Sequence, residues 1–90
     1  RLLDRDLIRT QEELATLIHI DISKNQFIAL MSFVYNFGLT KCRTYRLFGM
    51  INRGEWNNVR TWWPKYCSPG TKYEKGLRDR RMRELGLFFS

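Results

Sequence analysis

Nine carboxylates are the first place to look for chemistry, because breaking a glycosidic bond needs one weak carboxylic acid and a second acidic or water-positioning group roughly 5–10 Å away. Asp4 and Asp6 are two apart on a helical pattern and point about 200° from each other. Glu12 and Glu13 lie on the exposed arc of the same pattern. Asp79 and Glu84 sit among arginines, which strengthen an acid rather than weaken it. Glu55 opens a helix, where the dipole also favours the ionised form. No pair here makes a general acid and its helper, and no residue of this chain is assigned a catalytic role.

Nucleophile and metal chemistry are no better served. Ser23 is consumed as a helix cap, and there is no GxSxG, HExxH or phosphate-binding glycine loop. His19 is the only histidine; with no Ser, Cys or second His beside it, it reads as a helix-end residue. Cys42 and Cys67 stand 25 residues apart without a CxxC, a spacing that argues against zinc. A single disulfide is open in an oxidising compartment, two free and partly buried thiols being the simpler state. No metal and no cofactor are expected.

Binding features are richer. Trp56, Trp62, Trp63, Tyr66 and Tyr73 cluster in one third of the chain, where rings could stack on sugars or bases, although helical spacing assigns most of them to the core. Arg78, Arg80, Arg81 and Arg83 could track phosphates, but with Asp79 and Glu84 among them they read better as a paired helix face. The net charge of +7, from sixteen Lys and Arg against nine acids, favours anionic partners: nucleic acid, acidic wall polymers or anionic lipid. No apolar run approaches the roughly 18 residues of a membrane span, and no signal peptide opens the chain. Arg1-Leu2-Leu3 begins without Met and already in helical pattern, as an internal segment of a longer polypeptide would.

The elements that must position these residues are helices. Leu3, Leu7, Leu14 and Leu17 or Ile18 share one face of a helix over residues 2 to about 18, with Asp6 able to pair with Arg9 or Thr10. His19 to Ile22 is a short break. Ser23 and Gln26 form a capping box, after which Phe27, Leu30, Met31, Val34 and Phe37, widened by Ala29 and Phe33, make an apolar central helix ended by a left-handed Gly38. Leu39–Cys42 is expected as a loop, and Arg43 to about Arg53 as a short helix with Tyr45, Leu47 or Phe48 and Ile51 inward. A further helix from Glu55 to about Trp63 ends at Pro64, and Lys65–Lys75 forms the longest loop. The last helix begins near Lys72 or Lys75, carries Leu77, Arg81, Glu84 and Leu85 on one side, and stops at Leu85 with Gly86 as cap. Leu87-Phe88-Phe89 then packs back as a tail. The expectation is one all-α domain, a compact bundle of about five helices.

Three blocks, in order and without gaps, carry a resemblance: S-x-N-Q-F-x-A-L-x-S-F-x-Y-N-x-G from Ser23 to Gly38; Asn52-Arg53-Gly54-Glu55-Trp56; and Gly76-Leu77-x-x-Arg80-Arg81-x-x-Glu84. Together they resemble the phage-type lysozymes (endolysins), muramidases that hydrolyse the β-1,4 bond between N-acetylmuramic acid and N-acetylglucosamine in peptidoglycan. The resemblance implies the C-terminal helical lobe of such an enzyme, residues 23–90, with residues 1–22 as the connecting helix and linker. It implies that the catalytic Glu and its Asp and Thr helpers belong to a missing N-terminal lobe, in the same or another chain. Tyr35, Asn36 and Phe37 map onto the cleft wall and would contact the glycan. Ser23, Gln26, Gly38, Gly76, Arg80, Arg81 and Glu84 map onto structural positions. The loop after Trp63 departs from the pattern at Tyr66, Cys67, Pro69 and Thr71, Tyr66 standing where the family carries Trp. The partner implied is peptidoglycan glycan, the place of action the bacterial wall or periplasm after synthesis in the host cytoplasm. The alternatives are a non-catalytic wall-binding or assembly module derived from such a lobe and, less favoured, a basic nucleic-acid-binding helical domain.

Overall fold

The capping box at Ser23 sets the frame. In a computed structural model of residues 2–90, with side chains described from Arg5 onward, Ser23 Oγ accepts the Gln26 N–H at 3.1 Å and Gln26 Oε1 accepts the Ser23 N–H at 2.9 Å. The helix so started, α2 (Lys24–Phe37), buries Ala29, Leu30, Phe33 and Val34. It packs against α1 (Leu2–Leu17) on one side and α6 (Glu74–Phe88) on the other. Between them lie α3 (Leu39–Cys42), α4 (Leu47–Asn52), α5 (Trp56–Trp62) and a 3-10 turn at Trp63–Lys65. The radius of gyration, 12.7 Å, is near the ~12 Å of 90 residues packed around one core. The all-α expectation holds, and no helix among the described residues is long and apolar enough to cross a membrane.

One buried face and three boundaries differ from expectation. The Leu7–Leu14 face of α1 is buried only from Thr10 onward; Leu7 is 45% exposed, and the Leu3 and Asp4 side chains lie outside the described residues. Helices α1 and α2 run antiparallel: Leu14 and Ile18 face Phe27, whereas Asp6 to Glu13 face Val34 to Gly38. Leu39–Cys42 is a helical turn rather than a loop, because it drives Cys42 fully into the core. The segment expected as helix from Arg43 instead unwinds through turns, and α4 starts only at Leu47. That detour carries Tyr45 against Phe33 and Tyr66. Finally, Gly86 does not cap α6, which runs through it to Phe88; Phe88 is 1% exposed against Trp63, and its burial outweighs the ~1 kcal/mol a helical glycine costs.

The turn between α4 and α5 is a Schellman motif built on Gly54 at φ +69°: Glu55 N–H bonds Met50 C=O and Gly54 N–H bonds Ile51 C=O. Beside it, Asn52 Oδ1 accepts the His19 N–H at 2.7 Å while Asn52 Nδ2 donates to Leu17 C=O at 2.9 Å, tying α4 to the end of α1. His19 Nε2 lies 3.2 Å from Thr16 C=O, at the helix end. Both cysteines are buried and unpaired; burial, reinforced by Glu13, pushes the Cys42 thiol up to about 12 and leaves it unreactive at neutral pH.

Gly38 joins α2 to α3 at φ 84°, ψ 157°, a region that is not left-handed helical as expected but is open only to glycine. A Cβ there would meet nothing within 4 Å, so any penalty is backbone strain alone. Gly38→Ala is expected to lower stability by about 1–3 kcal/mol. Gly38→Asn should bring no relief, since ψ lies outside the region Asn tolerates. Urea unfolding checks this, and a loss below about 0.5 kcal/mol for both variants would contradict it.

Candidate functional site

At the end of α2 the helical period turns Tyr35 and Asn36 to solvent while Phe33 and Val34 face the core. Tyr35 is 52% exposed and, with Val34 and Gly38, lines a groove of about 210 Å³ whose opposite wall is Asp6, Arg9, Thr10 and Glu13 of α1. Phe37 is half-buried, tilted on Phe33 at 4.8 Å between ring centroids and edge-on to Tyr45 at 5.5 Å. The three residues read from the sequence as a glycan-contacting group therefore have three environments: an exposed ring, an exposed amide and a ring leaning on the core.

Asn36 is held from below by an ion pair inside the helical bundle. The Arg81 side chain is fully buried and that of Glu84 nearly so. Arg81 Nε and Nη2 donate to Glu84 Oε1 and Oε2, both at 2.6 Å, a two-pronged charged bond. Trp63 Nε1 donates to Oε1 at 3.2 Å and Ser32 Oγ to Oε2 at 2.5 Å, so each carboxylate oxygen has two donors. Arg80 adds charge from the rim, its Nε 3.7 Å from Glu84. The guanidinium carbon lies 5.0 Å from the Phe33 ring centre and 4.8 Å from that of Phe37, which compensates a buried cation. Among the described residues no buried side-chain polar atom is left without a partner.

This network fixes a chemical direction. Arg81 Nη1 lies 2.8 Å from the Asn36 side chain, and an arginine can only donate, so the amide end facing it is the oxygen. The Asn36 –NH₂ is therefore the end available as a donor. Tyr66 is tied inward, stacked on Tyr45 at 4.4 Å and edge-on to Phe33 at 5.6 Å. Burial raises its phenol pKa, partly offset by the backbone N–H groups of Leu47 and Arg46. In this fold Tyr66 is a packing residue.

The remaining residues singled out from the sequence lie away from this end. Ser23 and Gln26 close the far end of α2. Gly76 is exposed within α6, and a Cβ there would meet nothing within 4 Å. The carboxylates of Glu55, bonded by Arg53 and Asn58, and of Glu74, bonded by the Gly70 N–H and paired with Arg78, are both held below the usual range, opposite to what a general acid needs. Among the described residues no three His, Cys, Asp or Glu side chains gather as metal ligands. Sequence reasoning overlooked Ser32 and the role of Trp63 in the Glu84 shell. Ser32 and Asn36, four apart in an otherwise apolar helix, were the available signal: one polar stripe aimed at a buried partner.

Residues 1–84 match the phage lysozyme family model. The chain is 36% identical over 73 residues to an endolysin of Bacillus phage PZA, covering 81% of this chain and 28% of that protein. It is 31% identical over 90 residues to an endolysin of Bacillus phage B103, covering 100% of this chain and 34% of that protein. It is also 36% identical over 80 residues to a SAR-endolysin of Bacteriophage PS119, covering 89% and 48% respectively. The chain thus spans between about a quarter and a half of the length of these relatives.

Proposed function

The chain belongs to the phage lysozyme family, and from that premise we propose that it is the helical C-terminal lobe of an endolysin, forming one wall of a cleft for peptidoglycan glycan. The lobe acts at the bacterial wall or periplasm after synthesis in the host cytoplasm. The β-1,4 bond between N-acetylmuramic acid and N-acetylglucosamine is hydrolysed by carboxylates of an N-terminal lobe, which adjoins this one through α1. The observation that carries the reading is the Asn36 amide pinned by Arg81, with the Tyr35 ring exposed one residue before it at the end of α2. A hexopyranose offers an apolar face to an aromatic ring and acceptor oxygens to an amide –NH₂. Arg81 fixes that donor before substrate arrives, so little rotamer freedom is lost on binding.

In this arrangement the 90 residues bind and orient while the partner lobe protonates the leaving oxygen. Applied alone to a peptidoglycan zymogram, the chain is expected to leave the gel uncleared; joined to the N-terminal lobe of a related endolysin, it should clear it. Clearing by the 90 residues alone, or no clearing by the joined protein, would overturn the reading. Within the joined protein, Tyr35→Ala should lower kcat/KM about three- to tenfold while changing stability by less than about 0.5 kcal/mol, because the ring is exposed. Unchanged kinetics would remove Tyr35 from the cleft.

A further inference from the structure

The Gly54-Glu55-Trp56 turn has a face that its structural duty does not explain. The Schellman motif uses the backbone of this turn, and Asn52 uses its amide, but Trp56 remains 36% exposed. Its ring leans on Phe88 and Phe89 at 6.0 and 6.1 Å between centroids, which holds it as a fixed platform. It borders an open depression of about 550 Å³, formed by Gly54, Glu55, Trp56, Asn57, Asn58 and Arg60.

Glu55, Asn58 and Arg60 are each oriented by a neighbour and retain bonding capacity. Glu55 is held ionised by Arg53 Nε at 2.6 Å and Asn58 Nδ2 at 3.0 Å. With Asn58 donating to Glu55, its Oδ1 is the end left as acceptor. The Arg60 guanidinium carbon sits 4.0 Å from the Phe89 ring centre, and its N–H groups have no protein acceptor among the described residues. Asn57 contributes only its backbone carbonyl to the fold, accepting from Thr61 Oγ1 at 3.0 Å; its side-chain amide has no protein partner among the described residues.

We infer that this depression is a second, accessory saccharide site, which takes a neutral, N-acetylated hexopyranose chain outside the cleft. The polar lining disfavours an apolar peptide or lipid, and the Glu55 carboxylate, paired with Arg53, leaves the single charge of Arg60, a weak field for a polyanion. An aromatic platform ringed by a carboxylate, two amides and a guanidinium matches vicinal hydroxyls and acetamido groups, which need donors and acceptors side by side. The choice of an N-acetylated sugar rests on the proposed glycan function. Two sites on one lobe would hold a polymeric substrate by multivalency: a strand bound at Trp56 raises the effective concentration of the same polymer at Tyr35 and Asn36.

Titrating the ¹⁵N-labelled 90-residue chain with a β-1,4-linked tetramer of N-acetylglucosamine tests this. The Trp56 indole N–H and the Asn57 side-chain amide resonances should shift saturably. Asn57→Ala, which removes a side chain the fold does not use, and Trp56→Phe, which keeps the packing on Phe88 and Phe89, should each weaken that response roughly fivefold or more. No shift at Trp56 and Asn57, a shift that both variants leave unchanged, or a response to polyglutamate but not to the tetramer would overturn the inference. The Asn36 amide reports the cleft separately. A response at Asn36 alone sinks the accessory site and spares the proposed function, and a response at Trp56 and Asn57 alone does the reverse.

Discussion

Glu84→Ala should be among the most damaging single changes in this chain, lowering stability by about 3–5 kcal/mol. The mechanism is the cation left behind. The Arg81 side chain is fully buried, and its two charged bonds at 2.6 Å both end on Glu84. Removing the carboxylate also strips the partners from Trp63 Nε1 and Ser32 Oγ, each of which then bears part of a desolvation penalty of about 1–3 kcal/mol. Against a total of roughly 5–15 kcal/mol for a domain of this size, such a loss leaves little folded margin. Urea unfolding should show a lower midpoint with an unchanged slope, and a loss under about 1 kcal/mol would mean that water or a neighbouring group compensates Arg81. The paired change Arg81→Met with Glu84→Leu should cost far less than the two single changes added together, since apolar isosteres need no compensation. That double variant would keep the fold but free the Asn36 amide, separating the pair's structural share from its orienting share.

The same pair marks the limit of what the sequence could say. The stripe of α2 and the Ser23–Gln26 box were legible because they are local: period and cap lie within four residues of each other. The partners of Glu84 were not, for Ser32 stands 52 residues away and Trp63 21 away, and periodicity identifies a helix face without saying which helix it meets. The misplaced boundaries have a related cause. Leu39–Cys42 carries no helical period in four residues, and its winding follows from burying Cys42 rather than from propensity. Gly86 looked like a stop because glycine usually is one, yet Phe88 had a slot beside Trp63 that only a continued helix could reach. The motif put Tyr35, Asn36 and Phe37 in one group, whereas the structure gives them three environments. The division of labour among them comes from Arg81 and Phe33, which sequence spacing does not connect.

Phe33→Ala is the other change expected to be severe, at about 3–5 kcal/mol. Phe33 is fully buried in α2 and meets five rings: Phe37, Tyr45, Phe48, Trp63 and Tyr66, at centroid distances from 4.8 to 6.1 Å. Edge-to-face pairs of this kind contribute beyond area burial, and Arg81 loses one of its two aromatic faces with the ring. At about 4–8 °C of melting temperature per kcal/mol for a domain of 60–100 residues, Phe33→Ala should abolish a sharp thermal transition near ambient conditions. Phe33→Leu retains most of the apolar volume and should leave a cooperative, less stable fold on which function can be read. In that variant Phe37 loses the ring it leans on and Arg81 can shift beneath Asn36, so the tetramer response at Asn36 should weaken. The response at Trp56 should persist, because Trp56 packs on Phe88 and Phe89, and neither of these rings pairs directly with Phe33. Equal weakening at both places would show that loss of global stability, not the local Phe33–Arg81–Asn36 support, controls the response at Asn36.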